Sequence, residues 1–397
     1  MPIVEISDFE TGDWRAGFSF GGSHPFADDG ILEFLAELSK TILNDAEARR
    51  HPDLVTFGYF CRKANLKRAL EHIPSPNHRF GWGTVVHIAP ANIPLNFAFS
   101  FVMGLLSGNS NIVRLPSRPF VQTELCVALI DRLLSQPKFR DLAQETAFVR
   151  TEHNSAVLLD LVAHASGLVV WGGDKTVKRF KELSKLPACV ELGFPDRVSS
   201  LLVDADTYNA MSDEEAQKSA RRFYNDTMIV DQNACSSPST VFWLGGDDDI
   251  EQAKNRFWRM LHPILEAEYA MDPVARINRN LDLLRDVAEA GHALDLDTGH
   301  DIWRLTDADI LNLPRRFGTF LELGCRQVED IRPYLRINEQ TLTTLGIAPS
   351  TVFEKLSSGR QPVSVDRIVP VGQALDIGFV WDGKEVLSIL SRRVQVS

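Results

Sequence analysis

Short runs of β-branched and aliphatic residues alternate with longer amphipathic stretches between residues 84 and 205. The runs that predict strands lie at residues 84–90, 111–116, 147–151, 167–171 and 188–193. Between them, apolar residues recur at the three- and four-residue spacing of a helix, as in Val121, Leu125 and Leu129. Strands that alternate with helices predict a parallel sheet with helices on its faces.

A second α/β unit is expected after residue 190. Its expected elements are strands at residues 198–205, 239–245 and 317–325, a helix over 249–270, a charged helical region over 271–312 and further strands within 367–383. The spacing from Ser212 to Glu215 is that of a capping box, which predicts the start of a helix. Asp382-Gly383 predicts a hairpin turn.

Composition narrows the class of protein. With 397 residues and 44% hydrophobic composition, the chain can bury a large core. A net charge of −11 argues against a nucleic-acid-binding surface. The five cysteines lack C-x-x-C spacing, so neither a disulfide framework nor a metal site is predicted, and a reducing cytoplasm fits best.

Membrane and export signals are not expected in this sequence. The first residues, MPIVEISDFETGDW, lack the basic and apolar regions of a signal peptide. The most apolar stretch runs from Ile93 to Leu106, which is shorter than the roughly 20 residues of a membrane span. It therefore predicts a buried helix.

A strand that ends in two prolines carries the first candidate for chemistry. Pro90 and Pro94 restrict the turn after residues 84–90, where open α/β sheets bind ligands, and they hold the amide of Asn92 there. A fixed amide N–H can donate to a developing oxyanion. The alternative is that Asn92 only caps the following helix.

Paired glycines follow the predicted strand at residues 167–171. Gly172 and Gly173 allow a phosphate group to approach the backbone N–H groups at the start of a helix. The full G-x-G-x-x-G pattern of dinucleotide sites is missing, so a simple tight turn is the alternative.

Cys235 is the candidate nucleophile. It lies among small and polar residues in DQNACSSP, ahead of a strand, and this context predicts an accessible thiol. The other cysteines have apolar or helical neighbours and are expected to be buried; they are Cys61, Cys126, Cys189 and Cys325. Glu191 is a carboxylate near the end of the strand predicted at residues 188–193.

In their order along the chain, these segments resemble five motifs of the aldehyde dehydrogenase superfamily: P-W-N-x-P, K-P-S-E, G-S-T-x-x-G, E-L-G-G and Q-x-C. The corresponding segments are Pro90-Ala-Asn92-Ile-Pro94, Leu115-Pro-Ser-Arg118, Gly172-Gly173-Asp174, Glu191-Leu-Gly193 and Gln232-Asn-Ala-Cys235. APANIPLN, NIVRLPSRP, VVWGGD, DQNACSSP and the tail RIVPVGQALDIGFVWDG are most similar to the acyl-CoA reductases typified by the LuxC-like fatty-acid reductase of bacterial bioluminescence. The resemblance extends from about residue 80 to the end.

The resemblance implies an aldehyde dehydrogenase-like fold with two Rossmann-like parallel-sheet domains. Residues 1–190, with a helical extension over 1–75, are expected to bind the nucleotide, and residues 191–355 are expected to carry the nucleophile. Residues 356–397 are expected to return to the core or to an oligomer interface, since members of the superfamily usually form homo-oligomers.

The resemblance also implies a nicotinamide cofactor. The residues expected to contact it are Ala89, Pro90, Ala91, Arg114, Arg118, Gly172, Gly173 and Thr176. Two departures bear on its identity. Leu115 replaces the lysine that holds the adenosine ribose, and Arg118 replaces the glutamate that selects against a 2′-phosphate. An arginine suits phosphate binding, so NADPH is expected, with NADH as the alternative.

The implied reaction is reduction of an acyl thioester, carried by coenzyme A or an acyl-carrier protein, to an aldehyde through an acyl-enzyme on Cys235. Asn92 is expected to bind the oxyanion, and Glu191 to assist the thiol or to activate water. An acyl-transferring protein is an expected partner. The alternatives are an aldehyde dehydrogenase in which Glu191 drives hydrolysis, a cofactor-independent cysteine acyltransferase or thioesterase, and a catalytically silent scaffold.

Overall fold

The computed structural model describes residues 4–5, 18–71, 73–74, 76–152, 155–291, 294, 296–299, 302–311, 315–358 and 364–396. The chain forms two compact units. The first takes in residues 1–195 and 377–397, and the second takes in residues 196–376.

A parallel six-stranded sheet organises the first unit. Its strands are β1 (Val4–Glu5), β3 (Thr84–Ile88), β4 (Ser110–Arg114), β5 (Thr146–Arg150), β6 (Gly167–Trp171) and β7 (Val190–Phe194). Their order in the sheet is β1-β5-β4-β3-β6-β7. Strand β2 (Arg79–Gly81) precedes β3 in the chain and lies outside this sheet. Every residue of β3, β4 and β6 is buried, as expected for parallel strands covered on both faces. The five strands predicted from the sequence are confirmed to within two residues at each end.

Helices cover both faces of this sheet. They are α1 (Asp29–Asn44), α2 (Pro52–Phe60), α3 (Lys63–Leu70), α4 (Asn96–Leu106), α5 (Val121–Leu134), α6 (Arg140–Gln144), α7 (Ala156–Ala163) and α8 (Asp174–Glu182). Apolar residues of α1, α4 and α5 pack on one face, and those of α7 and α8 pack on the other. All eleven residues of α4 are buried, which confirms the buried helix predicted from the apolar stretch.

The second unit contains a seven-stranded sheet. Its elements are β8 (Val198–Asp204), α9 (Ala205–Ala210), α10 (Asp213–Thr227), β9 (Pro238–Leu244), α11 (Asp247–Glu268), α12 (Pro273–Ala290), β10 (Leu296–Gly299), β11 (Ile302–Leu305), β12 (Thr319–Cys325), β13 (Glu339–Leu345), α13 (Pro349–Ser357) and β14 (Arg367–Pro370). The strand order is β10-β11-β12-β9-β8-β13-β14. Only the pairing of β10 with β11 is antiparallel among the described strands of this sheet.

The end of the chain belongs to the first unit. It forms β15 (Val380–Trp381), β16 (Lys384–Glu385), α14 (Val386–Ile389) and β17 (Ser391–Arg393). Strands β15 and β16 form the predicted hairpin, with Asp382 and Gly383 in the left-handed region at its turn. Strand β17 pairs with β2.

Both predicted domain boundaries are displaced. Strand β7 is hydrogen-bonded to β6, so Glu191 belongs to the first unit and not to the second. Strand β14 pairs with β13, which keeps the chain in the second unit as far as Asp376 rather than 355. The region 271–312 is also only partly helical, because β10 and β11 follow α12.

Candidate active site

The segments expected to bind a cofactor share one edge of the first sheet. Strands β3, β4 and β6 are parallel neighbours, and Ile88 is in register with both Arg114 and Val170. The residues that follow each strand therefore emerge side by side at the carboxyl edge. After β3, Ala89 is buried, Pro90 is half-buried, and Ala91 and Asn92 are exposed. The structure thus brings Asn92 to the edge where the glycine turn also lies.

The glycine turn leads directly into α8. Gly173 precedes the first helical residue, Asp174, and its carbonyl accepts a hydrogen bond from the Thr176 N–H at 2.8 Å. A Cβ on Gly172 would lie 3.2 Å from the Thr176 side chain, so this position is tight for anything larger than glycine. A helix N-terminus with a close backbone approach fits the pyrophosphate of a dinucleotide.

The two arginines after β4 have different environments. Arg114 is 1% exposed, and its guanidinium donates to the Thr151 carbonyl at 3.0 Å and to the Ser117 hydroxyl at 3.3 Å. Burial lowers the pKa of the Arg114 guanidinium. Arg118 is exposed and lies over the Phe120 ring, with its Cζ 5.3 Å from the ring centroid. Arg114 therefore stabilises the turn from within, and Arg118 is the arginine of this turn that faces solvent.

Glu191 does not lie at the carboxyl edge. It is the second residue of β7 and is in register with Leu168, whereas Phe194 is in register with Trp171 at the end of β6. Three residues of strand correspond to about 10 Å. The Glu191 carboxylate instead lies 3.4 Å from the Lys185 ammonium, which also donates to the carbonyls of Phe180 and Lys181. Glu191 and Lys185 therefore form an ion pair beside the end of α8.

The nucleophile segment in the second unit follows α10 and has an unusual backbone. Asp231 and Gln232 both adopt left-handed conformations, with φ of 49° and 57°. Non-glycine residues rarely adopt this region, and they persist there only where neighbouring contacts enforce it. Phe317 is also left-handed, and its N–H donates to the Asp231 carbonyl at 3.2 Å.

The Gln232 side chain supplies the enforcing contacts. It is 3% exposed, and its Nε2 donates to the carbonyls of Pro238 and Thr319 at 2.8 and 3.1 Å. Its Oε1 accepts a hydrogen bond from the Gly318 N–H at 3.1 Å. One amide thus connects the segment to the first residues of β9 and β12. The resemblance drew attention to this glutamine as part of a motif, but not to these partners.

Cys235 lies on a tight turn in this segment. The Ser237 N–H donates to the Ala234 carbonyl at 2.9 Å and closes the turn, and the Ser237 hydroxyl donates to the Asp226 carbonyl at 2.7 Å. The Cys235 side chain is exposed, which confirms the predicted accessibility.

The other cysteines differ from Cys235 in burial. Cys61, Cys126 and Cys325 are buried as predicted, and burial raises the pKa of each thiol, for Cys325 to about 12. Cys189 was expected to be buried but is only half-buried, because it follows an exposed loop at residues 186–188; its pKa is raised to about 11. A thiol with a raised pKa is a poor nucleophile at neutral pH.

Among the described residues, no group of three or more His, Cys, Asp or Glu side chains is placed to hold a metal ion. None of the helices in the described part of the chain is long and apolar enough to cross a bilayer.

A protein-family model described as "Acyl-CoA reductase (LuxC)" matches residues 60–393. The chain belongs to this family. It is 26% identical over 169 residues to the long-chain acyl-protein thioester reductase 2 of Photobacterium leiognathi, a match that covers 42% of this chain and 33% of the relative. The corresponding reductase of Aliivibrio fischeri is 24% identical over 187 residues, covering 45% and 36%. The matches thus span about a third of the length of these curated relatives.

Solved structures place this LuxC-family chain in the aldehyde dehydrogenase fold. The NAD-dependent benzaldehyde dehydrogenase of Corynebacterium glutamicum matches with a TM-score of 0.64 at 12% identity, over 92% of this chain and 85% of that one. The succinic semialdehyde dehydrogenase of Streptococcus pyogenes, solved with NADP+, matches with a TM-score of 0.60 at 12% identity, over 93% and 91%. The predicted fold class and family are therefore confirmed.

Proposed function

We propose that this LuxC-family chain reduces an acyl thioester to an aldehyde through an acyl-enzyme on Cys235. The observation that carries the proposal is an exposed cysteine on a hydrogen-bonded turn, three residues after the left-handed Gln232, in a chain whose other cysteines are buried or have a raised pKa. The relatives are named for acyl groups carried on protein. A protein-bound acyl thioester is therefore the proposed substrate. Acyl-CoA, which the family description names, is the alternative substrate in the test below.

The first chemical step is thiol exchange. The Cys235 thiolate forms a bond to the acyl carbon while the bond from that carbon to the carrier sulfur breaks, and the carrier thiolate takes up a proton. The proposal assigns stabilisation of the negative oxygen to the Cys235 N–H and to the Asn92 amide, as the superfamily resemblance implies.

NADPH is the proposed cofactor, and it would supply a hydride to the acyl carbon when bound. The described residues fit a dinucleotide: Gly172 and Gly173 open onto the N-terminus of α8, and Arg118 is exposed at the neighbouring turn. Arg118 is the residue proposed to bind the 2′-phosphate, while Arg114 holds the turn in place. Ala89, Pro90 and Ala91 lie at the same edge and complete the proposed site with Thr176.

The ion pair of Glu191 favours reduction over hydrolysis. Its carboxylate is paired with Lys185, and its place on β7 is three residues, about 10 Å, before the carboxyl end of the strand. Lys185 thus already engages the carboxylate that hydrolysis would need as its base. We therefore propose a structural role for Glu191 and an acyl-enzyme that is discharged by reduction.

Replacing the nucleophile tests this function. Cys235→Ser is expected to abolish both the acyl adduct, seen by intact mass, and NADPH-dependent aldehyde formation from a long-chain acyl-carrier protein or acyl-CoA. Cys189→Ser is the matched control, because it removes the half-buried thiol and should leave both unchanged.

Three results would contradict the proposal. An acyl adduct mapped to Cys61 would show that Cys61, and not Cys235, is the nucleophile. Thioester turnover that continues without NADPH would indicate a thioesterase or acyltransferase, and oxidation of aldehyde to free acid without a thiol acceptor would indicate a hydrolytic dehydrogenase.

A further inference from the structure

The start of β8 is irregular on both sides at one residue, Ser199. Toward β9, Ser199 is in register with Pro238 and the next residue with Thr240, so one residue of β9 is skipped. Toward β13, Val198 is in register with Glu339 and Ser199 with Thr341, so one residue of β13 is skipped as well. Bulges of this kind recur beside active sites, where they redirect a side chain.

The Ser199 hydroxyl makes two hydrogen bonds at this irregular point of the sheet. It is fully buried, it accepts a hydrogen bond from the Thr341 N–H at 3.1 Å, and it donates to the Cys235 carbonyl at 2.7 Å. A serine hydroxyl has a single proton to donate, and here that proton is directed at the nucleophile turn. The side chain therefore connects β13 to the turn through β8.

These contacts fix the backbone on both sides of the thiol. The Ala234 carbonyl accepts from the Ser237 N–H at 2.9 Å, and the Cys235 carbonyl accepts from Ser199. Because each peptide unit is planar, fixing the two carbonyls fixes the two planes that meet at the Cys235 Cα. The direction of its Cα–Cβ bond, and so the region that the sulfur can reach, follows from those planes.

We propose that Ser199 is a positioning residue for the Cys235 thiol. This inference rests on the proposed acyl-enzyme function. Ser199 does not touch the substrate; it holds the turn so that the sulfur and the Cys235 N–H, the proposed oxyanion donor, keep their relative geometry while the acyl carbon is attacked.

The test compares Ser199→Ala with Thr343→Val. Thr343 lies on β13, is fully buried, and donates its hydroxyl to the Ser200 carbonyl at 3.2 Å, so the control removes a similar hydroxyl from the same sheet without touching the turn. Because a misplacement of about 1 Å can cost about 10²-fold in rate, Ser199→Ala is expected to slow single-turnover acylation of Cys235 by about 10- to 100-fold. The KM for NADPH should stay unchanged. Thr343→Val should acylate within about twofold of the wild type, by the same argument.

Alkylation separates this inference from the proposed function. The rate of iodoacetamide modification at Cys235, mapped by peptide mass across pH, reports on the thiol without any substrate, and Ser199→Ala should change it while Thr343→Val does not. If Ser199→Ala does not fold, Ser199→Cys, which keeps a weaker donor of similar size, should show the same loss to a smaller degree.

Equal acylation and alkylation rates in the Ser199 variants and the wild type would overturn the positioning role. The role would also be overturned if Thr343→Val lowered these rates as much as Ser199→Ala does. A wild-type protein that shows no acylation of Cys235 would contradict the proposed function instead, and the alkylation rates would still decide the role of Ser199.

Discussion

The choice between NADPH and NADH is proposed to depend on a single side chain. Arg114 and Arg118 follow the same strand, but Arg114 is enclosed by its contacts with Thr151 and Ser117, whereas Arg118 faces solvent. A guanidinium that is enclosed by the protein is not accessible to a phosphate group, whereas one that faces solvent can offer its planar fork.

Arg118→Ala is therefore expected to raise the KM for NADPH and leave the KM for NADH nearly unchanged. Charge-assisted hydrogen bonds contribute about 1.5–3 kcal/mol, so the increase should be on the order of 10- to 100-fold. Steady-state kinetics with both cofactors measure it, and Arg132→Ala, which removes an exposed arginine of α5, is the control. Equal losses with NADPH and NADH would remove the assignment of the 2′-phosphate to Arg118.

Single residues differ in how much the sequence alone reveals. The small, polar neighbours of Cys235 predicted its exposure, because accessibility follows largely from local composition. The same reasoning did not anticipate the burial of Arg114, since charged residues are usually exposed. The contact between Ser199 and Cys235 joins two strand ends that are brought together only by sheet pairing. Local sequence holds no signal for such a contact.

At the scale of elements, buried polar residues link the strands that form the proposed cofactor edge. The Trp171 Nε1–H of β6 donates to the Ser100 hydroxyl of α4 at 3.0 Å, and that hydroxyl lies 2.7 Å from His87 Nδ1 of β3. His87 Nε2 lies 2.9 Å from the Asn111 Oδ1 of β4. An amide oxygen only accepts, so Nε2 carries the proton. Burial disfavours a second proton on Nδ1, and the neutral ring can then accept the Ser100 hydroxyl proton there. The network therefore fits a neutral histidine.

The network predicts acid sensitivity of the first unit. Burial lowers the pKa of His87 to about 4, below its ordinary value of about 6.5. A depressed histidine pKa contributes stability that is complete above about pH 6.5 and is lost as the pH falls toward 4, by up to about 3 kcal/mol. His87→Phe removes this titration. Between pH 7 and pH 4, the free energy of unfolding of the wild type should therefore fall relative to that of the variant.

Urea unfolding at several pH values measures the difference. His164→Phe, which replaces an exposed histidine at the end of α7, is the control and should show no such trend. A difference between wild type and His87→Phe that stays constant from pH 7 to pH 4 would contradict the neutral network.

Elements were predicted unequally well for a physical reason. Fully buried strands such as β3 and β6 have a mainly apolar run of residues that decides their type. Strands β10 and β11 have four residues each, and their cross-strand partners include Asp297 and Arg304, which form an ion pair. Such short, charged segments satisfy a helical pattern as readily as a strand pattern, so the sequence alone suggested helix.

At the scale of the whole molecule, the sequence left the course of the final segment open. The segment after residue 376 returns to the first unit, where β17 pairs with β2 and the Asn109 Nδ2 donates to the Leu390 carbonyl at 2.9 Å. The sequence suggested a return to the core or to an oligomer interface but could not choose between them, because pairing over such sequence distances depends on the assembled fold. The described residues of this segment belong to the first unit.

An interface for the expected homo-oligomer is suggested by the surface of α12. Val274, Ile277, Leu281 and Leu284 are 52–65% exposed, on the face opposite the buried Ala275, Arg279 and Asp286. Their 3-4-3 spacing is the seam along which two helices pair, and exposed apolar patches of this kind mark interaction sites. The helix has 18 residues and is about 27 Å long, so a second copy of α12 is the occupant that matches both its spacing and its length.

The double substitution Leu281→Lys with Leu284→Lys is expected to reduce the oligomer to a folded monomer, because both side chains are exposed within the protomer and contribute little to its core. Two lysines along a pairing seam would also face the same lysines of the second copy, so repulsion adds to the lost apolar contact. Sedimentation velocity at micromolar concentration measures the mass. Ile337→Lys, at a residue that is 95% exposed outside α12, controls for general effects of surface charge and should retain the wild-type mass. A wild-type protein that sediments as a monomer, or a double variant that keeps the wild-type mass, would rule out pairing through α12.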